Sequence, residues 1–346
     1  VAENIKEDKD MIFFVGTYTR LGGPGIASCS WDGKQFHVEQ TVALPNPTYL
    51  ILSLSQDRLY AISSDTADQS EGGSYAMFER TGGQLVMRAR YNTGAAGPCH
   101  LCLSPDERFL YTANYASGTL SVFPLDPPGP RIQLIRHQGH SVHPNRQAGA
   151  HVHHVSFLPG TRTLAAVDLG LDQVVLYRQD PHTGLLERSG QMDTPPGLGP
   201  RHLAYGPEHS AYLVHELGNA VSRLAVSGDT LIMRETWPTL PGGWQGENTC
   251  AAIRVTGSHV IASNRGHDSL AVFQIQSDGM LKPAGIFGSN GSLPRDFFIF
   301  PDNRILVANQ GGSVTLLDWD PAAARMSASA ALPMPGAVCV CPLPEA

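Results

Sequence analysis

The sequence contains no run of apolar residues long enough to cross a bilayer as a helix. No long window spaces its apolar residues at the helical period of about 3.6, so a helical bundle is excluded as well. A Gly-x-Ser-x-Gly elbow is missing, which argues against a serine acyl-enzyme. Neither an HExxH-like pair nor a clear Cys/His zinc spacing is present. Positive charge is not in excess. The net charge of −7 sets the chain against wholesale binding to nucleic acid or an anionic membrane.

Cysteine is sparse, with six in 346 residues. Cys99-His-Leu-Cys102 has CxxC spacing, yet strand alternation is expected to turn residues three apart to opposite faces. Buried free thiols in a reducing cytoplasm are the expectation. The first ten residues are polar and make no signal peptide. They read as a flexible tail, residues 1–10, ahead of one domain over residues 11–346 in a cytoplasmic protein. Val1 stands where an initiator Met would, which leaves open that a signal was removed upstream.

What the chain does have is turn chemistry. Its 36 Gly and 26 Pro suit many tight turns, and 42% hydrophobic content is ordinary for a full core. The turns punctuate a unit that recurs about every 45–53 residues, the length of a propeller blade. Pro98-Cys-His-Leu-Cys-Leu-Ser-Pro-Asp followed by Phe109-Leu-Tyr-Thr-Ala-Asn-Tyr115 is one copy. Pro200-Arg-His-Leu-Ala-Tyr with Ala211-Tyr-Leu-Val-His-Glu-Leu217, and Pro294-Arg-Asp-Phe-Phe-Ile with Arg304-Ile-Leu-Val-Ala-Asn-Gln310, are two others. Inner strands are expected at Thr48–Ser53, His100–Ser104, His151–Phe157, Arg201–Tyr205, Ala251–Val255 and Arg295–Phe300. A further copy, Ala337-Val-Cys-Val-Cys-Pro342, ends the sequence, whereas Met11–Tyr18 matches a second strand. The expectation is an all-β, seven-bladed β-propeller with four-stranded antiparallel blades. Its ring closes where the C-terminal strand joins the N-terminal blade, leaving no open seam. Insertions fall at Asp65–Ser74, at Pro124–Ala150 and around Pro238–Asn248.

In such a blade the start of the inner strand and the end of the second strand lie at one end of the sheet. The seven blades bring these positions to one rim of the channel. Strand starts contribute His100, His151 with His153, Arg201 with His202, and Arg295 with Asp296. Second-strand ends contribute Asn114-Tyr115, Asp168, Glu216, Asn264-Arg265 and Asn309-Gln310. The recurring Asn114, Asn264 and Asn309 fit strand-end caps. Three converging guanidiniums, Arg201, Arg265 and Arg295, repel one another and need a carboxylate or an anionic ligand. Glu216 and Asp296 are available, so the set is either a structural ion network or an anion site. His151 and His153 share a strand face but lack a clear third ligand, and no metal or cofactor is expected.

The chain resembles the seven-bladed-propeller lactonases, a family that includes bacterial propeller-type 6-phosphogluconolactonases and fungal carboxy-cis,cis-muconate cyclases. Val15-Gly-Thr-Tyr-Thr, Ser104-Pro-Asp with Ala113-Asn-Tyr, Asn145-Arg-Gln147 with His151-Val-His153, Gly199-Pro-Arg-His202 with His215-Glu-Leu217, Ser263-Asn-Arg-Gly-His-Asp and Pro294-Arg-Asp-Phe carry the likeness. In the cyclase branch the resemblance implies a site of one His, two Arg and one Glu. By motif these fall on His151 or His153, on Arg201 and Arg265, and on Glu216. The implied activity is metal-independent hydrolysis of a sugar-acid lactone, with 6-phosphogluconolactone first. Arg201 would stabilise the oxyanion and Glu216 or His153 would deprotonate water. Arg265 and Arg295 would hold a phosphate or carboxylate, with Asn114, Arg146 and His202 as further substrate contacts. The expected partner is thus a small anionic lactone or carboxylate, and the oligomeric state is left open. A cycloisomerase that closes an unsaturated polycarboxylic acid to a lactone is the alternative. A non-catalytic binding scaffold is a further one, disfavoured by the unlike polar residues gathered on one rim.

Overall fold

Second strands such as Phe109–Asn114, Thr163–Asp168 and Ser210–His215 are buried along their whole length. Short, nearly continuous apolar runs predict this for strands covered on both faces. The last strands of blades, such as Thr230–Pro238 and Arg325–Pro333, are largely exposed. The computed structural model describes residues 11–64 and 72–344 and assembles them into seven four-stranded antiparallel sheets. The expected tail at residues 1–10 and residues 65–71 of the first insertion lie outside the described residues. Among the described residues the helical content is one 3₁₀ turn, Thr19–Leu21, and no helix is long and apolar enough to cross a membrane.

Taking the blade that holds Met11–Thr17 as blade 1, the inner strands of blades 2 to 7 are Leu50–Leu52, Pro98–Leu103, Val152–Phe157, Pro200–Tyr205, Thr249–Thr256 and Pro294–Ile299. Blade 1 takes its inner strand from Ala337–Pro342, which pairs antiparallel with Met11–Thr17 from Phe13–Pro342 to Thr17–Ala337. The ring is therefore closed by hydrogen bonds between the two ends of the described chain, as the incomplete first copy predicts. The Pro124–Ala150 insertion contains the fourth strand of blade 3, Gln133–Arg136.

The hydrophobic core is divided rather than central. Seven apolar clusters form wedges, each drawing on two adjacent blades. Phe109, Tyr111 and Val122 of blade 3, for example, meet Val155, Leu164 and Tyr177 of blade 4. With its apolar surface held between blades, the ring leaves polar side chains to line the channel mouth.

In blades 3 to 7 the inner strand carries a register shift near its start, at Pro98/His100, Val152/His154, Pro200/His202, Cys250/Ile253 and Pro294/Asp296. Blade 1 has the same irregularity, since Cys339 pairs with Gly16 and Ala337 with Thr17. Such a bulge adds a residue and breaks simple alternation. Alternation alone therefore misplaces Cys99 and Cys102: both rest against the wedge between blades 3 and 4 instead of on opposite faces. All six cysteines are free thiols.

Truncation of the chain before Ala337 would expose the Met11–Thr17 edge and the wedges holding Val340 and Cys341. The expected outcome is loss of the cooperative thermal transition followed by circular dichroism, whereas an unchanged melting curve would contradict closure by this strand.

Candidate active site

The sequence motif Gly199-Pro-Arg-His and the later Glu216-Leu217 form one local unit. The Glu216 N–H donates to the Gly199 carbonyl at 2.7 Å. Gly199 has φ +60, and a Cβ there would lie 2.6 Å from Leu217 Cγ, so both conformation and space call for glycine. The unit sets Arg201, on the inner strand of blade 5, against Glu216 at the end of the second strand.

Glu216 is 4% exposed and Arg201 2% exposed. Arg201 Nε donates to Glu216 Oε2 at 2.9 Å, and Arg265 Nη2 lies 3.0 Å from the same oxygen. Arg146 Nη2 donates to Oε1. Arg201 also donates through Nη1 to the Ala251 carbonyl at 2.7 Å, and Arg265 to the Cys250 carbonyl at 2.9 Å. Burial alone would raise the Glu216 pKa, but Arg265, Arg201, His153 and Arg146 outweigh it and hold the carboxyl well below the usual carboxylate range. Burial, with Arg265 and Arg295 nearby, pulls Arg201 down to about 9, so it stays protonated at neutral pH. Arg146 comes from the Pro124–Ala150 insertion, which is pinned by Gln147: its Nε2 donates to the Leu169 carbonyl and its Oε1 accepts from the His143 N–H.

Arg295 differs from these. Its closest polar partner is Gln310 Oε1 at 3.5 Å, and its guanidinium stands 5.5 Å from the centre of the Tyr18 ring. Among the described residues no carboxylate lies within ion-pair distance of it. Asp296, a possible partner from sequence, instead takes Arg254 at 2.6 Å and the Val340 N–H at 3.2 Å. Arg201 and Arg295 share a small pocket with Cys99 and His202. The rim thus gathers four guanidiniums around one carboxylate.

His151 and His153, equivalent in the sequence reading, occupy different places. His151 stacks on the Tyr115 ring at 4.4 Å, and its Nδ1 lies 2.9 Å from the Tyr115 carbonyl. His153 is buried, meets the Tyr115 ring edge-on and has an Nδ1 without a partner. Burial, then the Arg201 charge, lowers its pKa well below 6.5, so its imidazole is neutral at pH 7.

The bulge also turns the neighbour of His153 inward, which alternation does not anticipate. His154 packs on His100 at 4.1 Å and on His202 at 5.1 Å between ring centres, and Tyr49 covers His100 at 4.0 Å. The Pro98-Cys-His100, Val152-His-His154 and Pro200-Arg-His202 lines, aligned on their first residues, carry the signal that would have found this cluster. His202 bridges the two groups, since its Nε2 lies 3.1 Å from Arg201 Nη1. Asn114 stands apart from the arginines, fully buried within its blade with its amide donating to Thr119 and Ser121. Asp168 caps a turn through the His151, Gly170 and Leu171 N–H groups and binds His137.

Comparison with known proteins gives one family across nearly the whole chain. The family described as Lactonase, 7-bladed beta-propeller, matches residues 12–342. The chain is 33% identical to the 6-phosphogluconolactonase of Bacillus subtilis, covering 95% of this chain and 97% of that one. The periplasmic gluconolactonase of Pseudomonas aeruginosa superposes with a TM-score of 0.91 at 28% identity, over 97% of this chain and 99% of that one. A Lactobacillus plantarum protein superposes with a TM-score of 0.90 at 28% identity, over 97% of this chain and all of that one.

The depressed Glu216 pKa fixes the sign of a stability effect. The carboxylate's contribution is complete above its ordinary pKa of 4.5 and is lost as pH falls towards the lowered value in the folded protein. Glu216→Gln leaves Arg201 buried without its partner, at an expected cost of about 3–5 kcal/mol at pH 7. Urea unfolding at pH 7 and pH 3 should show the gap between wild type and variant narrowing in acid. An equal gap at both pH values would contradict the ion knot.

Proposed function

We propose that this chain, which belongs to the family of seven-bladed β-propeller lactonases, hydrolyses the ring ester of an anionic sugar-acid lactone at its arginine-rich rim, with 6-phosphogluconolactone as the substrate. The observation that carries this reading is the charge imbalance there: Arg146, Arg201, Arg265 and Arg295 face one carboxylate, and Arg295 lacks a carboxylate partner among the described residues. Such an excess of guanidinium favours a ligand with phosphate or carboxylate oxygens. The activity named for the Bacillus subtilis relative supplies the choice of lactone.

In this reading Arg265 and Arg295 hold the phosphate, and Arg201 faces the lactone carbonyl, where it stabilises the oxyanion that develops on attack. Glu216 keeps Arg201, Arg265 and Arg146 in place. A carboxylate held so far below the usual range is a weak base, and both its oxygens are already engaged. The base is His153, whose neutral ring can take a proton from water. Arg201 and Arg295 help hold its pKa down, so an anionic substrate that offsets their charge raises it towards the working range. Hydroxide adds to the carbonyl carbon and the ring C–O bond breaks as the tetrahedral oxyanion collapses. The leaving alkoxide takes the proton back from the imidazolium, and the new carboxylic acid releases one proton to solvent.

A pH-stat assay over a lactone panel tests the proposal. Uptake of base should be fastest with 6-phosphogluconolactone. His153→Gln should lower kcat by roughly 10²-fold or more with little change in KM. Arg295→Ala should raise KM for the phosphorylated lactone more than for gluconolactone. Full rates in both variants would refute the assignment. Loss of a muconate without base uptake would point to cycloisomerisation.

A further inference from the structure

A second group of ionisable side chains lies in the channel beside the arginines. His100 of blade 3, His154 of blade 4 and His202 of blade 5 occupy the same strand position, each following a bulge. In blade 6 the position is Ala252 and in blade 7 it is Asp296, so the imidazoles come from three consecutive blades only. Each ring offers one nitrogen, and the three nitrogens all lie within 4.8 Å of one another. All three side chains are more than nine-tenths buried. His100 Nε2, both nitrogens of His154 and His202 Nδ1 have no hydrogen-bond partner. The rings' remaining polar contacts are a long one from the Val155 N–H to His100 Nδ1, at 3.4 Å, and the one from Arg201 Nη1 to His202. Buried polar atoms are nearly always satisfied, and this many orphaned nitrogens in one cluster of rings call for a ligand.

We propose that His100, His154 and His202 bind one divalent transition-metal ion of the zinc type, leaving a fourth coordination position open. Three imidazoles with an open position make a donor set that suits this class of ion. Around a tetrahedral ion with bonds of about 2.0–2.1 Å, ligand nitrogens stand roughly 3.3 Å apart, so the rings draw together on binding. Burial holds His154 down to about 3 and the other two well below 6.5, and every ring therefore has a lone pair at pH 7. His100 and His154 also line a cavity of about 610 Å³ that extends to Leu54, Pro105 and Glu107, and this supplies an entry path. The neighbouring Arg254 is paired with Asp296. His202 has an unpartnered Nδ1 to offer, while its Nε2 is in contact with Arg201 Nη1. No step of the proposed hydrolysis passes through the ion.

The test is metal binding itself, which separates this proposal from the hydrolytic reading. Full-length protein, stripped with a chelator and dialysed, is titrated with Co²⁺ and, by equilibrium dialysis, with Zn²⁺. The expected result is one ion per chain, a tetrahedral Co²⁺ absorption band and an X-ray absorption spectrum containing three imidazoles. His154→Gln, checked for folding by circular dichroism, should weaken binding by roughly 100-fold or more. The exposed His182→Gln should not change it. If His154→Gln does not fold, the imidazole count on wild type decides. No stoichiometric binding, fewer than three imidazoles, or unchanged binding in folded His154→Gln would overturn the proposal.

Discussion

The bulge near the start of the inner strands is the constraint on which the channel depends. An unbroken strand presents every second residue to one side. With the extra residue, consecutive side chains both reach inward: His153 and His154 each approach the ring of His202, at 5.2 and 5.1 Å between centres. Arg201 likewise reaches the rim while its neighbour His202 joins the lower cluster. One backbone irregularity, repeated around the ring, thus supplies two kinds of polar group. The blades can carry this irregularity because their apolar contacts lie in the wedges between sheets.

The rim then has an electrostatic problem that Glu216 solves only in part. One buried carboxylate fixes three guanidiniums by ion pairs, and backbone carbonyls satisfy further N–H groups of Arg201 and Arg265. Such a knot owes its geometry to complete pairing; removing one member leaves buried charge uncompensated. Arg295 remains outside it, as a cation beside a pocket rather than in a pair. The same charges that lower the carboxyl pKa of Glu216 leave it poorly suited to take protons. In the hydrolysis proposed above, the base is therefore His153, and Glu216 positions the arginines.

The blade count, ring closure and inner strands were legible in the sequence because they follow from a repeat, which reports the same packing several times. Arg201, Glu216 and Arg265 were legible because they stand at strand ends where neighbouring copies carry other residues. His154 was not, since alternation from His153 places it on the wrong side and only the bulge corrects this. Arg254 was missed because it lies in mid-strand and reaches Asp296 through a long side chain. That pairing also removes Asp296 as a partner for the rim arginines. Arg146 sits in an insertion whose path depends on the amide bonds of Gln147, so family motifs could suggest it but repeat geometry could not. The sequence also left His151 and His153 as equals, whereas Tyr115 separates them by binding one on its face and meeting the other at its edge.

The central claim is that the rim arginines receive an anionic sugar acid. A crystal structure with 6-phosphogluconate, the expected product, tests it most directly. The account predicts phosphate oxygens on Arg265 and Arg295 and the carboxylate beside Arg201 and His153. A ligand bound in the cavity lined by Leu103 and Val255, or binding that ignores the arginines, would contradict it.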